Sequence, residues 1–137
     1  MEKIFLDTNI LLDVLLERHP YCLSAQHVWS LAERKKVRAA VSATSLNNIF
    51  FIVKRLSSQQ KAYQAIRTIF ELFKILDVKS QTISEALRLQ PPDFEDAIQY
   101  CCALAFRSQV ILTRDPAGFS GSEIPVMDCD QYLAGRE

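Results

Sequence analysis

Net charge is what this chain most plainly lacks: sixteen basic residues face sixteen acidic ones, and the formal sum at pH 7 is zero. A strongly basic footprint is the usual global sign of nucleic-acid binding, so any contact with phosphate has to be built locally. The one cationic block, Arg34-Lys35-Lys36-Val37-Arg38, falls where a helix should end, and cations are favoured there by the helix dipole. The four cysteines, Cys22, Cys101, Cys102 and Cys129, form no CxxC pair and no zinc spacing with histidine, and read as reduced core residues. His19 and His27 are isolated, which removes HExxH-type metallohydrolase chemistry. The apolar runs are too short to span a bilayer, and the first residues, Met1-Glu2-Lys3-Ile4-Phe5-Leu6, lack the stages of a secretory signal. The chain is therefore expected in the cytoplasm with no membrane partner. No linker, repeat or low-complexity stretch divides it, so residues 1–137 are read as one domain.

What is present is an ordinary globular composition, 49% hydrophobic and 23% charged, in a chain long enough to bury about two-thirds of its unfolded surface. Apolar spacing predicts strands over Met1–Leu6, Arg38–Val41, Lys74–Val78, Val110–Leu112 and Ile124–Met127. It predicts helices over Asn9–Glu17, Tyr21–Arg34, Ser45–Leu56, Ser57/Ser58 to Phe73, Ser80–Leu89 and Asp93–Arg107, with a short tail helix after Asp130. Ser58 and Ser80 read as helix caps. Strands alternating with helices imply an α/β fold, a mainly parallel sheet covered on both faces.

In such sheets ligands sit beyond the carboxyl ends of the strands, where strand order reverses. Three acids fall at matching places: Asp7 after the first strand, Asp115 after Val110–Arg114, and Asp96 in the first turn of the helix before that strand. Each also has a structural explanation. Asp7 could cap its helix, Asp93 could cap the next with Asp96 as the reciprocal acid of a capping box, and Asp115 before Pro116 could open a turn.

Taken in order, LDTNILLD, VSATSLNNIF, DFEDAIQYCCALA, VILTRDPAGF and IPVMDCDQYL resemble the motifs of the PIN domain over nearly the whole chain. They are most similar to small bacterial PIN proteins that include the VapC-type toxins of toxin–antitoxin pairs. The resemblance implies a three-layer α/β/α sandwich and a metal-dependent ribonuclease, with Asp7, Asp96 and Asp115 as catalytic acids and ligands of Mg²⁺ or Mn²⁺. Such cations prefer oxygen ligands and retain waters. The chemistry expected is in-line attack of water on an RNA phosphodiester, with the cation stabilising the developing charge.

The match departs from the family pattern at two positions. Asn48 stands where many PIN nucleases carry glutamate, keeping an oxygen but not the charge, and cation affinity is expected to be lower for it. Gly118, before Phe119, stands where an acid is sometimes found. Asp93, one turn back, lies on the side of Asp96, whereas helical geometry points Glu95 away from it. Thr8, Asn9 and Thr113 are assigned to orienting ligands, water or substrate, and Arg114 to meeting a phosphate.

Two other classes stay open: a PIN-like module that binds RNA or a protein without cutting, and a phosphoryl-transfer domain with Asp7 as nucleophile. The second lacks the partner Asp two residues on, where Asn9 stands, and a lysine after a late strand. The expected partners are RNA, an antitoxin, and a second copy of the chain. The homodimer expectation rests on Trp29, Phe50, Phe51, Phe70 and Phe73, more apolar surface than one sheet face obviously covers.

Overall fold

A computed structural model describes residues 1–136. Five strands, β1 (Lys3–Leu6), β2 (Arg38–Ser42), β3 (Lys74–Leu76), β4 (Val110–Leu112) and β5 (Val126–Met127), form one sheet in the order β3-β2-β1-β4-β5. Every pairing is parallel. The helices are α1 (Thr8–Leu15), α2 (Cys22–Glu33), α3 (Ala43–Leu56), α4 (Gln59–Leu72), α5 (Ser80–Leu89), α6 (Phe94–Phe106) and α7 (Cys129–Ala134), with a 3₁₀ turn over Pro116–Phe119.

Side chains alternate across a strand, and here both faces are buried. Ile4, Leu6, Ala39, Val41, Val110 and Leu112 meet residues of α1 to α4 and α7. Phe5, Ala40 and Ile111 point the other way, onto α5 and α6. The result is the expected three-layer sandwich. Because a parallel strand covered on both faces is apolar throughout, strands of two to five residues suffice to anchor the layers.

Element ends move for identifiable reasons. Helix α3 starts at Ala43, not Ser45, because the Ser42 hydroxyl accepts the Thr44 amide at 3.1 Å, and β2 passes into the helix without a loop. Strand β3 stops at Leu76, opposite the last residue of β2. Ile124 does not join β5: its amide and carbonyl are both taken by the Ser122 hydroxyl, at 3.0 and 2.7 Å. Ser58 caps α4 as expected, but Ser80 is the first residue of α5, where the Thr82 hydroxyl accepts the Lys79 amide. Helix α7 begins earlier than expected, fixed by the reciprocal Asp128–Gln131 capping box.

The apolar surface assigned to association is smaller than the sequence suggested. Trp29 and Phe73 lie in the core and pack edge to face at 4.9 Å, and Phe50 is half-buried against Tyr63. Phe51 and Phe70 remain exposed.

One buried ion pair ties the first helix to the end of the fourth strand. Asp13, 0% exposed, receives Nε and Nη2 of Arg114 at 2.7 and 3.0 Å, with Arg18 Nη1 at 3.7 Å. Removing one partner of a buried pair costs about 3–5 kcal/mol, and without Arg114 the buried Asp13 keeps only the longer Arg18 contact. The two removals are not equivalent, because Arg114 reaches water and Asp13 does not. Arg114→Met should therefore destabilise in that range, Asp13→Asn by less, and the double variant should be more stable than Arg114→Met alone. Urea unfolding checks this; a double variant no more stable than Arg114→Met would show that the unpaired Asp13 is not the source of the loss.

Candidate active site

The chain leaves β1 for β2 and β3 on one side of the sheet and returns to β4 on the other, so the crevice between β1 and β4 is the topological switch point. Asp7 opens into it. Its amide prolongs the ladder by donating to the Leu112 carbonyl at 3.0 Å, and its side chain falls on the Phe5 face of the sheet, towards α6. Asp7 occupies the N-cap position of α1, yet its carboxylate makes no cap bond. Instead Oδ2 accepts from the Thr113 hydroxyl at 2.7 Å and Oδ1 from the Gln99 amide nitrogen at 3.0 Å. Capping thus does not explain this aspartate.

Thr113 holds more than Asp7. Buried beyond the end of β4, its Oγ1 also accepts the Asp115 amide at 3.0 Å, which links the two strand-end acids through one hydroxyl. The Asp115 backbone opens the Pro116–Phe119 turn, accepting the Gly118 amide at 3.1 Å, while its carboxylate makes no cap bond. On α6, Asp93 is the N-cap and accepts the Asp96 amide at 3.2 Å. The reciprocal bond of a capping box does not form, and the Asp96 carboxylate lies over Gly118: a Cβ there would stand 2.4 Å from Oδ2.

Asp7, Asp96 and Asp115 line one cavity of about 310 Å³, together with Thr8, Asn9, Asn48, Asp93 and Glu95, and with Phe51 and Ile52 on its apolar side. Glu95 does not point away, as helical geometry suggested; it reaches across to α3, where the Asn48 amide donates to Oε2. The Thr8 hydroxyl is shared with Ser45 at 2.7 Å, which fixes α1 to α3. Asn9 is exposed at the rim, its oxygen 3.4 Å from Arg18. Arg114 is absent from this cavity. Its guanidinium is bound to Asp13 and stacks 4.0 Å from the Tyr21 ring centroid.

Crowding of acids dominates the electrostatics. Burial raises the Asp7 carboxyl against its hydrogen bonds to Thr113, Gln99 and the Thr8 amide, and Asp115 adds to the rise. Burial, then the charges of Asp7 and Asp93, raise Glu95. Asp96 is lifted to about 7 by burial and by Asp93, Asp7, Asp115 and Glu95. Among the described residues, no three acidic, histidine or cysteine side chains stand close enough to hold one ion in common; the carboxylates surround a space and do not meet at a point.

Residues 3–117 match the family model described as the PIN domain. The chain belongs to the PIN domain family. Ribonuclease VapC1 of Aquifex aeolicus is similar at 24% identity over 139 residues, covering 96% of this chain and 93% of that protein. The crystal structure of VapC20 from Mycobacterium tuberculosis, described as a toxin that cleaves the sarcin-ricin loop, superposes with a TM-score of 0.72 at 14% identity. It covers 87% of this chain and 95% of its own. A toxin–antitoxin complex from Klebsiella pneumoniae gives a TM-score of 0.69 at 22% identity, over 92% and 97% of the two chains.

The sequence reading missed Gln99 and Asp13. Gln99 is 0% exposed, donates to Asp7, and leaves its own Oε1 without a partner. The only sequence signal for it is its place three residues after Asp96, on the same side of α6.

The raised Asp96 makes stability depend on pH with a definite sign. Unfolded, its pKa lies near the ordinary 3.8; folded, it is about 7. Its contribution is fully present below pH 4 and is lost as pH rises through 7, because ionising the folded site is unfavourable. In cation-free buffer the melting temperature of Asp96→Asn should therefore gain on the parent from pH 4 to 7 and hold that gain above. A difference that stays flat across this window would contradict the charge crowding.

Proposed function

We propose that this PIN domain, acting as a single unit over residues 1–137, is a divalent-cation-dependent endoribonuclease that hydrolyses RNA phosphodiester bonds. It serves as the toxin of a pair whose antitoxin holds it in check. One observation carries the reading: Asp7, Asp96 and Asp115, delivered by three different elements, line one cavity at the switch point of the sheet. The relatives, a ribonuclease, a sarcin-ricin loop cleaving toxin and a toxin–antitoxin complex, point the same way.

The donors fit Mg²⁺ or Mn²⁺. All are oxygens, and the crowding of charge that raises Asp96 is what a cation would relieve. Mg²⁺ takes one or two carboxylates directly and reaches others through retained water, so a cavity lined by carboxylates that do not meet at one point suits it. When bound, the cation supplies a nucleophilic water at neutral pH and stabilises charge on the phosphate. The protein supplies placement. Asp7 is held at both oxygens and fixes one wall, Asp96 and Asp115 flank it, and Asn9 at the exposed rim is placed to donate to a phosphate oxygen. Arg114, engaged by Asp13, stays structural, so RNA attachment depends on the cation more than on basic side chains.

The purified chain should cleave single-stranded RNA with Mg²⁺ or Mn²⁺ and stop on chelation. Asp7→Asn and Asp96→Asn should each lose roughly a hundredfold or more, since even residues that only support a metal ligand cost about 10–100-fold. Cleavage surviving unchanged in Asp96→Asn would identify a contaminating nuclease and end the proposal.

The homodimer reading is supported by the apolar side chains still exposed on the α3–α4 hairpin, Phe51, Leu56, Tyr63 and Phe70. In this reading the chain is a homodimer, and light scattering should report twice the 15.6 kDa chain mass. A strictly monomeric mass at tens of micromolar removes it.

A further inference from the structure

We propose that Glu95 supplies the fourth carboxylate of the cation site, carrying the charge that Asn48 lacks; this rests on the nuclease reading above. Helix α3 delivers residue 48 to the cavity as an amide, and that amide donates to Glu95 Oε2 across the cavity. The direction of this bond matters. A glutamate at position 48 would face Glu95 carboxylate to carboxylate, whereas Asn48 presents a donor and draws the Glu95 side chain inward from α6.

Beyond its contact with Asn48, Glu95 has no structural duty that would explain its place. Asp93 already caps α6, through the Asp96 amide, and no capping box forms. Among the described residues no ion pair includes Glu95. A long carboxylate in the first turn of a helix is favoured by the dipole even when it extends into water. This one is half-buried in a cavity that Asp7, Asp93, Asp96 and Asp115 also line. Such a position costs solvation and repulsion unless a cation offsets both.

Glu95→Gln separates this role from that of a clamp between helices, because the glutamine oxygen still accepts from Asn48 and only the charge is lost. Asp93→Asn serves as the control for charge at the cavity mouth, since Asn caps a helix as well as Asp. Mn²⁺ titration by calorimetry on the full chain, checked by the Mn²⁺-induced rise in melting temperature, should show affinity about tenfold weaker in Glu95→Gln. Asp93→Asn should lose much less. The double variant Asn48→Glu with Glu95→Gln, which transposes the charge and keeps an amide opposite it, should return most of the parent affinity.

Glu95→Gln binding Mn²⁺ as the parent does, or no worse than Asp93→Asn, overturns the assignment, as does a folded double variant that recovers nothing. If Asp96→Asn loses affinity in those cases, the nuclease site stands and only the role of Glu95 falls. A parent that binds no Mn²⁺ overturns both.

Discussion

Asp7 has to be carried out of water at the end of a central strand, and its surroundings are arranged around that cost. An ionised carboxylate buried without partners would neutralise or unfold its neighbourhood. Here Thr113 and Gln99 each give one hydrogen bond, from just beyond β4 and from α6, and the strand ladder fixes the Asp7 backbone. Gln99 leaves its own oxygen unpaired in the interior, a loss on the order of 1–3 kcal/mol that an apolar residue on the same face of α6 would avoid. Its compensation is the orientation of Asp7. Through Thr113 the same network reaches Asp115, so two strand-end acids are positioned together.

The second buried aspartate explains why the nearest arginine does not face the cavity. Asp13 sits on the core side of α1 with no route to water, and Arg114 is the residue that closes the pair. The arginine therefore fixes the loop after β4 against α1, which holds Thr113 and Asp115 at the height of Asp7. Position in the chain, directly before a candidate ligand, suggested phosphate binding; in the fold the guanidinium is held by Asp13 and does not line the cavity.

Legibility in the sequence follows the range of the interactions. The layers could be read because apolar periodicity reports burial directly, and Asp7, Asp96 and Asp115 could be singled out because strand ends and helix starts are marked locally. Asp13 could not: in LLDVLLE its carboxylate looks like the polar side of a helix, and the partner lies 101 residues away. Gln99 hides for the same reason, 92 residues from Asp7. The direction of Glu95 was misjudged because helical geometry places a Cβ, not the end of a long side chain with a donor across the cavity. Trp29 and Phe73 looked like surplus surface because α2 and the end of α4 are distant in sequence and meet only in the fold.

The two positions read in the sequence as departures from the family pattern, Asn48 and Gly118, have one structural feature in common. The Asn48 amide meets Glu95, and Asp96 lies over Gly118. In both places the first turn of α6 occupies space that a side chain from another element would otherwise fill. A side chain at 118 would drive Asp96 off its seat, and a carboxylate at 48 would repel Glu95. The acids of this cavity thus gather at α6, whose N-terminus, capped by Asp93, favours negative charge through the helix dipole while burial and the neighbouring carboxylates oppose it.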